Sequence, residues 1–155
     1  MRILLITAFF CFTFSSFSQY GIIWEPEITV SDGSIFGNLR PRATVTNNGI
    51  PMVIYGKSNA MDNIVISRWN GSSFDPPMSL LPVGTSSYFA SWTGPDIASK
   101  GDTVIVVFKL DPIDDGNVYS IRSVDGGLTF SDTIRVDDQE TEVAWMPSMD
   151  IDNNG

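Results

Sequence analysis

Three groups of residues in this chain of 155 residues have the types and spacing that chemistry needs. Asp150, Asp152 and Asn154 stand at alternate positions before Gly155, in the order D-x-D-x-N-G. Oxygen ligands at that spacing, with a glycine to turn the chain, suit the first half of a calcium loop. Asp111, Asp114 and Asp115 form a second acidic loop of similar chemistry. A solvated turn needs the same composition, so both loops also read as plain connections. Trp92 and Trp145, with Trp69 and Tyr88, are the second group. Their rings are amphipathic and flat, fit for stacking on a sugar, although packing between strands is the commoner use of such rings. The third group is Ser123, Asp125, Gly127, Thr129 and Phe130, spaced S-x-D-x-G-x-T-F.

The third group reads physically as a hairpin turn. Asp125-Gly126 tolerates the positive φ that a tight hairpin requires. The Ser123 hydroxyl and Asp125 carboxylate bond loop amides that no strand partner can reach. Gly127 lets the chain bend back, and Phe130 returns inward as a strand residue. Val118 to Arg122 before the turn and Thr133 to Val136 after it alternate apolar and polar, the period of a strand. The motif resembles the Asp box, or BNR repeat, of sialidases and other secreted β-propellers. The resemblance implies an all-β propeller in which Asp125 is a structural staple on an outer turn, away from any central pocket.

Internal repetition carries the same implication. Trp24, Phe74 and Phe130 head similar segments spaced by 50 and 56 positions, and Pro41, Pro95 and Pro147 head a second series spaced by 54 and 52. A turn follows each proline segment, at Asn47-Asn48-Gly49, Lys100-Gly101-Asp102 and Asn153-Asn154-Gly155. A period near fifty, made of strands and turns, suits a four-stranded propeller blade. Strands are expected over 42–47, 51–56, 63–69 and 73–81, then over 95–99, 103–109, 117–123 and 129–137. Blade units then span about 41–81 and 95–137, and a third begins at 146. Asn70-Gly71 takes the place of Asp125-Gly126, so Trp69 to Phe74 reads as a degenerate Asp box. A closed propeller has at least four blades. The expectation is therefore an N-terminal fragment, 19–155, whose partners include missing C-terminal blades of the same chain.

The first proline segment, Leu39 to Gly49, is similar to the start of the first sialidase blade. There an arginine two residues before the proline helps to hold the substrate carboxylate by bidentate bonds. Leu39 occupies that position here, flanked by Arg40 and Arg42. Those two arginines, with Asp62 on the segment leading to the first turn, are the catalytic-site candidates that the resemblance implies. Strand alternation would send Arg40 and Arg42 to the side opposite Leu39. Lys57, where a second arginine is expected, is not an equivalent carboxylate fork.

Absences narrow the chemistry. The chain has no His, so neither a Ser-His-Asp triad nor a His-ligated zinc site is available within it. Its single Cys, Cys11, lies in an N-terminal apolar run. Met1-Arg2, the run Ile3 to Phe14 and the small residues Ser16 and Ser18 read as a signal peptide over 1–18, cleaved before Gln19. A mature protein without cysteine fits a bacterial envelope or extracellular setting. The net charge of −9 and the lack of a basic stripe make nucleic acid an unsuitable partner. No segment after the signal is long and apolar enough to read as a transmembrane span. Together these readings give a secreted or cell-surface propeller, a non-catalytic module binding a glycan or a protein through its loop ends. The alternative is a sialidase-like exo-glycoside hydrolase. No cofactor is expected beyond the calcium candidates.

Overall fold

Alternating apolar side chains and left-handed glycines decide where this chain runs straight and where it reverses. In the computed structural model, residues 25–31, 38–57, 63–111, 117–137 and 144–152 are described. Residues 1–18, read above as a signal peptide, and Trp24, Asp62, Asp114, Asp115 and Asn154 lie outside the described residues. Strands β1 (Asn38–Val45), β2 (Pro51–Lys57), β3 (Asn63–Arg68) and β4 (Met78–Ser79) form one antiparallel sheet in that order. Strands β5 (Asp96–Lys100), β6 (Thr103–Lys109), β7 (Val118–Ser123) and β8 (Ile134–Arg135) form a second sheet with the same order. No helix occurs among the described residues, so none is long and apolar enough to cross a membrane.

The two central strands of each sheet fall within one residue of their expected spans. The outer strands are much shorter than the expected 73–81 and 129–137. Pro76 and Pro77 offer no amide to a ladder, so pairing with β3 is confined to Val65↔Ser79 and Ile66↔Met78. β8 likewise pairs with β7 only at Tyr119↔Arg135 and Ser120↔Ile134. The β1–β2 and β5–β6 hairpins turn at Gly49 and Gly101, whose φ values are +72° and +60°. Both lie in the left-handed region that glycine enters without a steric penalty.

One core fills the space between the sheets. Met52, Ile54, Ile64 and Ile66 of the first sheet meet Ile97, Val104, Val106, Phe108 and Ile121 of the second. Leu80 and Leu81 close one end, and Phe130 packs at the margin as its place after the turn requires. Each side chain fully buried there contributes roughly 1.5–3 kcal/mol relative to exposure.

Contacts between the units follow the repeat. Arg42 Nε lies 3.6 Å from Asp96 Oδ1. Ser99 Oγ donates to Val45 O at 3.0 Å, and Asn48 Nδ2 to Asp102 Oδ1 at 3.4 Å. Each pair is 54 residues apart, the spacing of Pro41 and Pro95. The segment 147–152 stands to β5 as β5 stands to β1. Ser148 Oγ and Met149 N both donate to Asp96 Oδ2 at 3.1 Å, and Lys100 Nζ donates to Asp152 O at 3.3 Å. Neighbouring units thus touch at equivalent positions, with little slip along the strands.

The up-and-down chain order sorts the connections into two ends. The β1–β2 and β5–β6 hairpins share one end with the turns after β3 and β7. The long connection over 80–95 and the segment entering Pro147 lie at the other.

Candidate functional site

The turn after β7 is a closed hydrogen-bond system built around one carboxylate. Ser123 Oγ donates to Asp125 Oδ1 at 2.7 Å and accepts the amide of Gly127 at 2.8 Å. Asp125 Oδ1 also accepts the amides of Leu128 and Thr129, both at 3.0 Å. Thr129 Oγ1 donates to Asp125 Oδ2 at 2.6 Å. The Thr129 hydroxyl and amide, then the Ser123 hydroxyl, hold this carboxyl well below the usual carboxylate range. Gly126 and Gly127 are buried, with φ of +72° and +83°. They rest on the first sheet, where Arg68 Nε donates to Gly126 O at 3.0 Å. Ser123, Asp125, Gly127, Thr129 and Phe130 therefore join two sheets as well as two strands.

The turn after β3 has the same plan with an amide in place of the carboxylate. Asn70 Oδ1 accepts the amides of Ser72 and Ser73 at 3.0 Å, and Asn70 Nδ2 donates to Asp75 Oδ1 at 2.8 Å. Phe74 closes it edge-on against Trp69, with ring centroids 5.4 Å apart. Trp69 thus packs within its own turn rather than with Trp92 and Trp145.

At the opposite end the structure gathers three of the rings that the sequence offers for stacking. Trp92 and Trp145 lie 5.4 Å apart between centroids, and Tyr88 is 6.1 Å from Trp92 and 6.0 Å from Trp145. Trp92 is 48% exposed and Trp145 40%, an open surface that core packing alone does not require. The Lys109 ammonium, buried at the end of β6, sits over the Trp145 ring at 5.0 Å from its centroid. This cation–π contact pins the ring from inside. Sequence reasoning missed Lys109; its only signal was a lysine in register at the end of an apolar strand.

Arg40 braces the same end. Its φ of +52° is left-handed, an uncommon state for a residue with a side chain. Register shifts between Leu39 and Arg42 along β1, so simple alternation does not hold across Pro41. Arg40 and Arg42 both reach the second unit, but through this bulge. Arg40 Nη1 donates to Ser91 O at 3.0 Å, beside Trp92, while Arg42 pairs with Asp96. Gly94 is what admits the Arg40 side chain: a Cβ there would stand 2.8 Å from Arg40 Cβ. Met146, also just before a proline, repeats the conformation with φ of +50°. Two strained residues of one repeat position thus border the aromatic cluster.

The acidic candidates among the described residues, Asp111, Asp150 and Asp152, do not converge. Asp150 Oδ1 accepts the amide of Ile151 at 2.8 Å, and Asp152 is exposed. Asp111 is exposed, with its amide bonded to Ser86 O at 3.0 Å. No three carboxylates or other metal-ligating side chains group together among the described residues. Asp137 is a local case: the Arg135 guanidinium, 2.6 Å away, holds its carboxyl below the usual range.

The aromatic end can bind a flat apolar face by stacking and hydroxyls through nearby backbone. No known family model matches the chain, and no curated protein matches it either.

Proposed function

We propose that this chain carries two blades of an exported Asp-box β-propeller that binds carbohydrate through the end opposite its Asp-box turn. Contact between units at equivalent positions supports the propeller reading. A rotation with little slip along the strands brings a row of sheets around toward closure. The turn geometry at Asp125 supports the Asp-box assignment, and the N-terminal segment supports export to the cell surface or beyond. The observation that carries the ligand is the half-open cluster of Tyr88, Trp92 and Trp145. Its rings are fixed from behind by Lys109 and from the side by the Arg40–Ser91 bond. Rigid amphipathic rings give contact area at low entropic cost, and the exposed Ser91 flanks Trp92 with a hydroxyl. An exo-glycoside hydrolase gains no support from Arg40 and Arg42, whose guanidinium groups are directed to Ser91 O and Asp96. The test is binding of the purified protein to an array of neutral and acidic polysaccharides, read by tryptophan fluorescence. Trp92→Ala should weaken binding about tenfold or more, matching ~1–3 kcal/mol for a stacked ring. Trp69→Ala should leave it unchanged. Equal binding by the Trp92 variant would remove the cluster from the site.

A further inference from the structure

Among the described residues, three turns place Asn or Asp directly before glycine, and their glycine amides are held differently. Gly49 N, after Asn48, donates to Thr46 O at 2.9 Å, and Gly126 N, after Asp125, donates to Asp102 O at 2.8 Å. Gly71 N, after Asn70, has no acceptor among the described residues, and Gly71 is exposed. At its φ of +105°, nothing lies within 4 Å of where a Cβ would stand. The Asn70 side chain is also surrounded differently from that of Asn48. Its Oδ1 accepts from Ser72 N, Ser72 Oγ and Ser73 N, each at 3.0 Å. An amide oxygen has two lone pairs, so a third donor suits a tetrahedral oxyanion better than the resting amide. On the other side of the same carbon, Asn70 Nδ2 donates to Asp75 Oδ1 at 2.8 Å. The Asn48 side chain makes one contact among the described residues, from Nδ2 to Asp102 Oδ1 at 3.4 Å.

We propose that Asn70 is a self-modification site: its side chain cyclises onto the Gly71 nitrogen, and water converts the ring to aspartate and isoaspartate. The Gly71 N–H gives its proton to solvent, and the nitrogen bonds Asn70 Cγ. Glycine suits this attack, because no side chain shields the nitrogen or restricts the backbone rotation it needs. Negative charge then gathers on Oδ1, where the donors from Ser72 and Ser73 already converge. Nδ2 takes a proton from solvent, and the positive charge that develops on it is met by the Asp75 carboxylate. The Cγ–Nδ2 bond breaks and ammonia leaves. Water opens the five-membered imide at either carbonyl, so water is consumed and ammonia released without any oxidant or reductant. The turn thus supplies an oxyanion site and a leaving-group partner to two groups that are already neighbours. An aspartate here keeps the acceptor for Ser72 and Ser73 but sets an oxygen, in place of Nδ2, against Asp75, and like charges at that distance repel. An isoaspartate adds a methylene to the main chain. Either product loosens the turn that Trp69 and Phe74 close. The site lies at the Asp-box end and does not depend on any ligand at the aromatic end.

The test compares the two Asn-Gly turns within one molecule. The purified protein is incubated at neutral pH, folded and, in parallel, unfolded in guanidinium chloride. Peptides containing Asn48 and Asn70 are followed by mass spectrometry and by isoaspartate-specific methylation. In the folded protein Asn70 should convert about tenfold or more faster than Asn48, a difference of about 1.4 kcal/mol in barrier. In the unfolded chain the two rates should converge. Equal rates in the folded protein, or a slower rate at Asn70 folded than unfolded, overturns the proposal. Asp75→Asn removes the charge beside the leaving nitrogen, and Ser72→Ala removes one donor to Oδ1. Each should slow Asn70 in the folded protein, while slow conversion at Asn48 in the same sample reports that the variant is folded. An Asn70 rate that neither variant lowers would show that the turn does not promote the reaction, and this too overturns the proposal.

Discussion

Gly127 sits directly on Met52: a Cβ added to the glycine would lie 2.6 Å from Met52 Sδ. The turn of one sheet and the platform of the other are thus fitted without space for a methyl group, and φ at Gly127 is +83°. Gly127→Ala should therefore destabilise the protein through both backbone strain and displacement of Met52. The backbone part alone is about 1–2 kcal/mol. Gly49→Ala is the control, because φ there is +72° and nothing lies within 4 Å of a new Cβ. In urea unfolding, Gly127→Ala should lower the midpoint clearly more than Gly49→Ala. Equal shifts would mean that the Met52 contact carries no weight.

Acid should weaken the Asp125 turn in a defined window. Bonds from Thr129, and then from Ser123, keep the folded carboxyl below its ordinary value near 3.8. A group with a depressed folded pKa contributes stability that is full above the unfolded value and is lost as pH falls from there through the lower folded value. Asp125→Asn should thus melt below the parent at neutral pH, and the gap should narrow below about pH 4. Differential scanning calorimetry from pH 7 to pH 3 reads this directly. The variant should bind carbohydrate like the parent, since the turn and the aromatic cluster occupy opposite ends. A lost affinity at unchanged melting would contradict a structural role.

Much of this architecture is legible in the residues, for identifiable reasons. The continuous apolar runs Met52 to Tyr55 and Val104 to Phe108 mark central strands buried on at least one face. Pro41 and Pro95 mark the first strand of each sheet, and Pro147 heads the segment bonded to β5. The turn at Asp125 is readable because its side-chain bonds are local, spanning two to four residues. What was not legible depends on distance in sequence. The bulge at Arg40 arises where the chain must pass Gly94, and the ring over Lys109 comes from Trp145. Neither leaves a mark on its own neighbourhood. The outer strands were over-read because Phe74 to Leu80 has strand-like residues, while Pro76 and Pro77 remove the donors that pairing needs.

Export should remove the first eighteen residues. Arg2, the apolar run Ile3 to Phe14 and the small residues Ser16 and Ser18 form the motivating pattern. N-terminal sequencing of protein recovered outside the cytoplasm should begin at or near Gln19. A mature product that retains Ile3 to Phe14 would refute it.

The Lys109–Trp145 contact should couple the two residues measurably. A desolvated cation over an indole is worth about 2 kcal/mol, against about 0.5–1 at an exposed site. Half of Trp145 is open while Lys109 is buried, so a value near ~1 kcal/mol is expected. A double-mutant cycle of Lys109→Met and Trp145→Leu, read by chemical unfolding, isolates that term. Additive effects would show that the ring and the ammonium are neighbours without interaction.

Asp96 should matter more than the ion pair it belongs to. Its Oδ1 faces Arg42 at 3.6 Å, but that guanidinium is half exposed, and such pairs contribute about 0–1 kcal/mol. Its Oδ2 accepts both Ser148 Oγ and the Met149 amide, and so fixes the segment 144–152 to β5. Hydrogen bonds to a charged acceptor contribute about 1.5–3 kcal/mol. Asp96→Ala should accordingly release that segment while the two sheets stay folded, because their shared core does not involve it. Hydrogen exchange at the Met149 amide should accelerate at least tenfold, the equivalent of about 1.4 kcal/mol. Exchange in β6 should stay as it was, and tryptophan fluorescence should report a disturbed Trp145 three residues before Ser148. Arg42→Ala should do none of this. If Arg42→Ala and Asp96→Ala open the segment equally, the ion pair rather than the Met149 amide bond is what joins one repeat to the next.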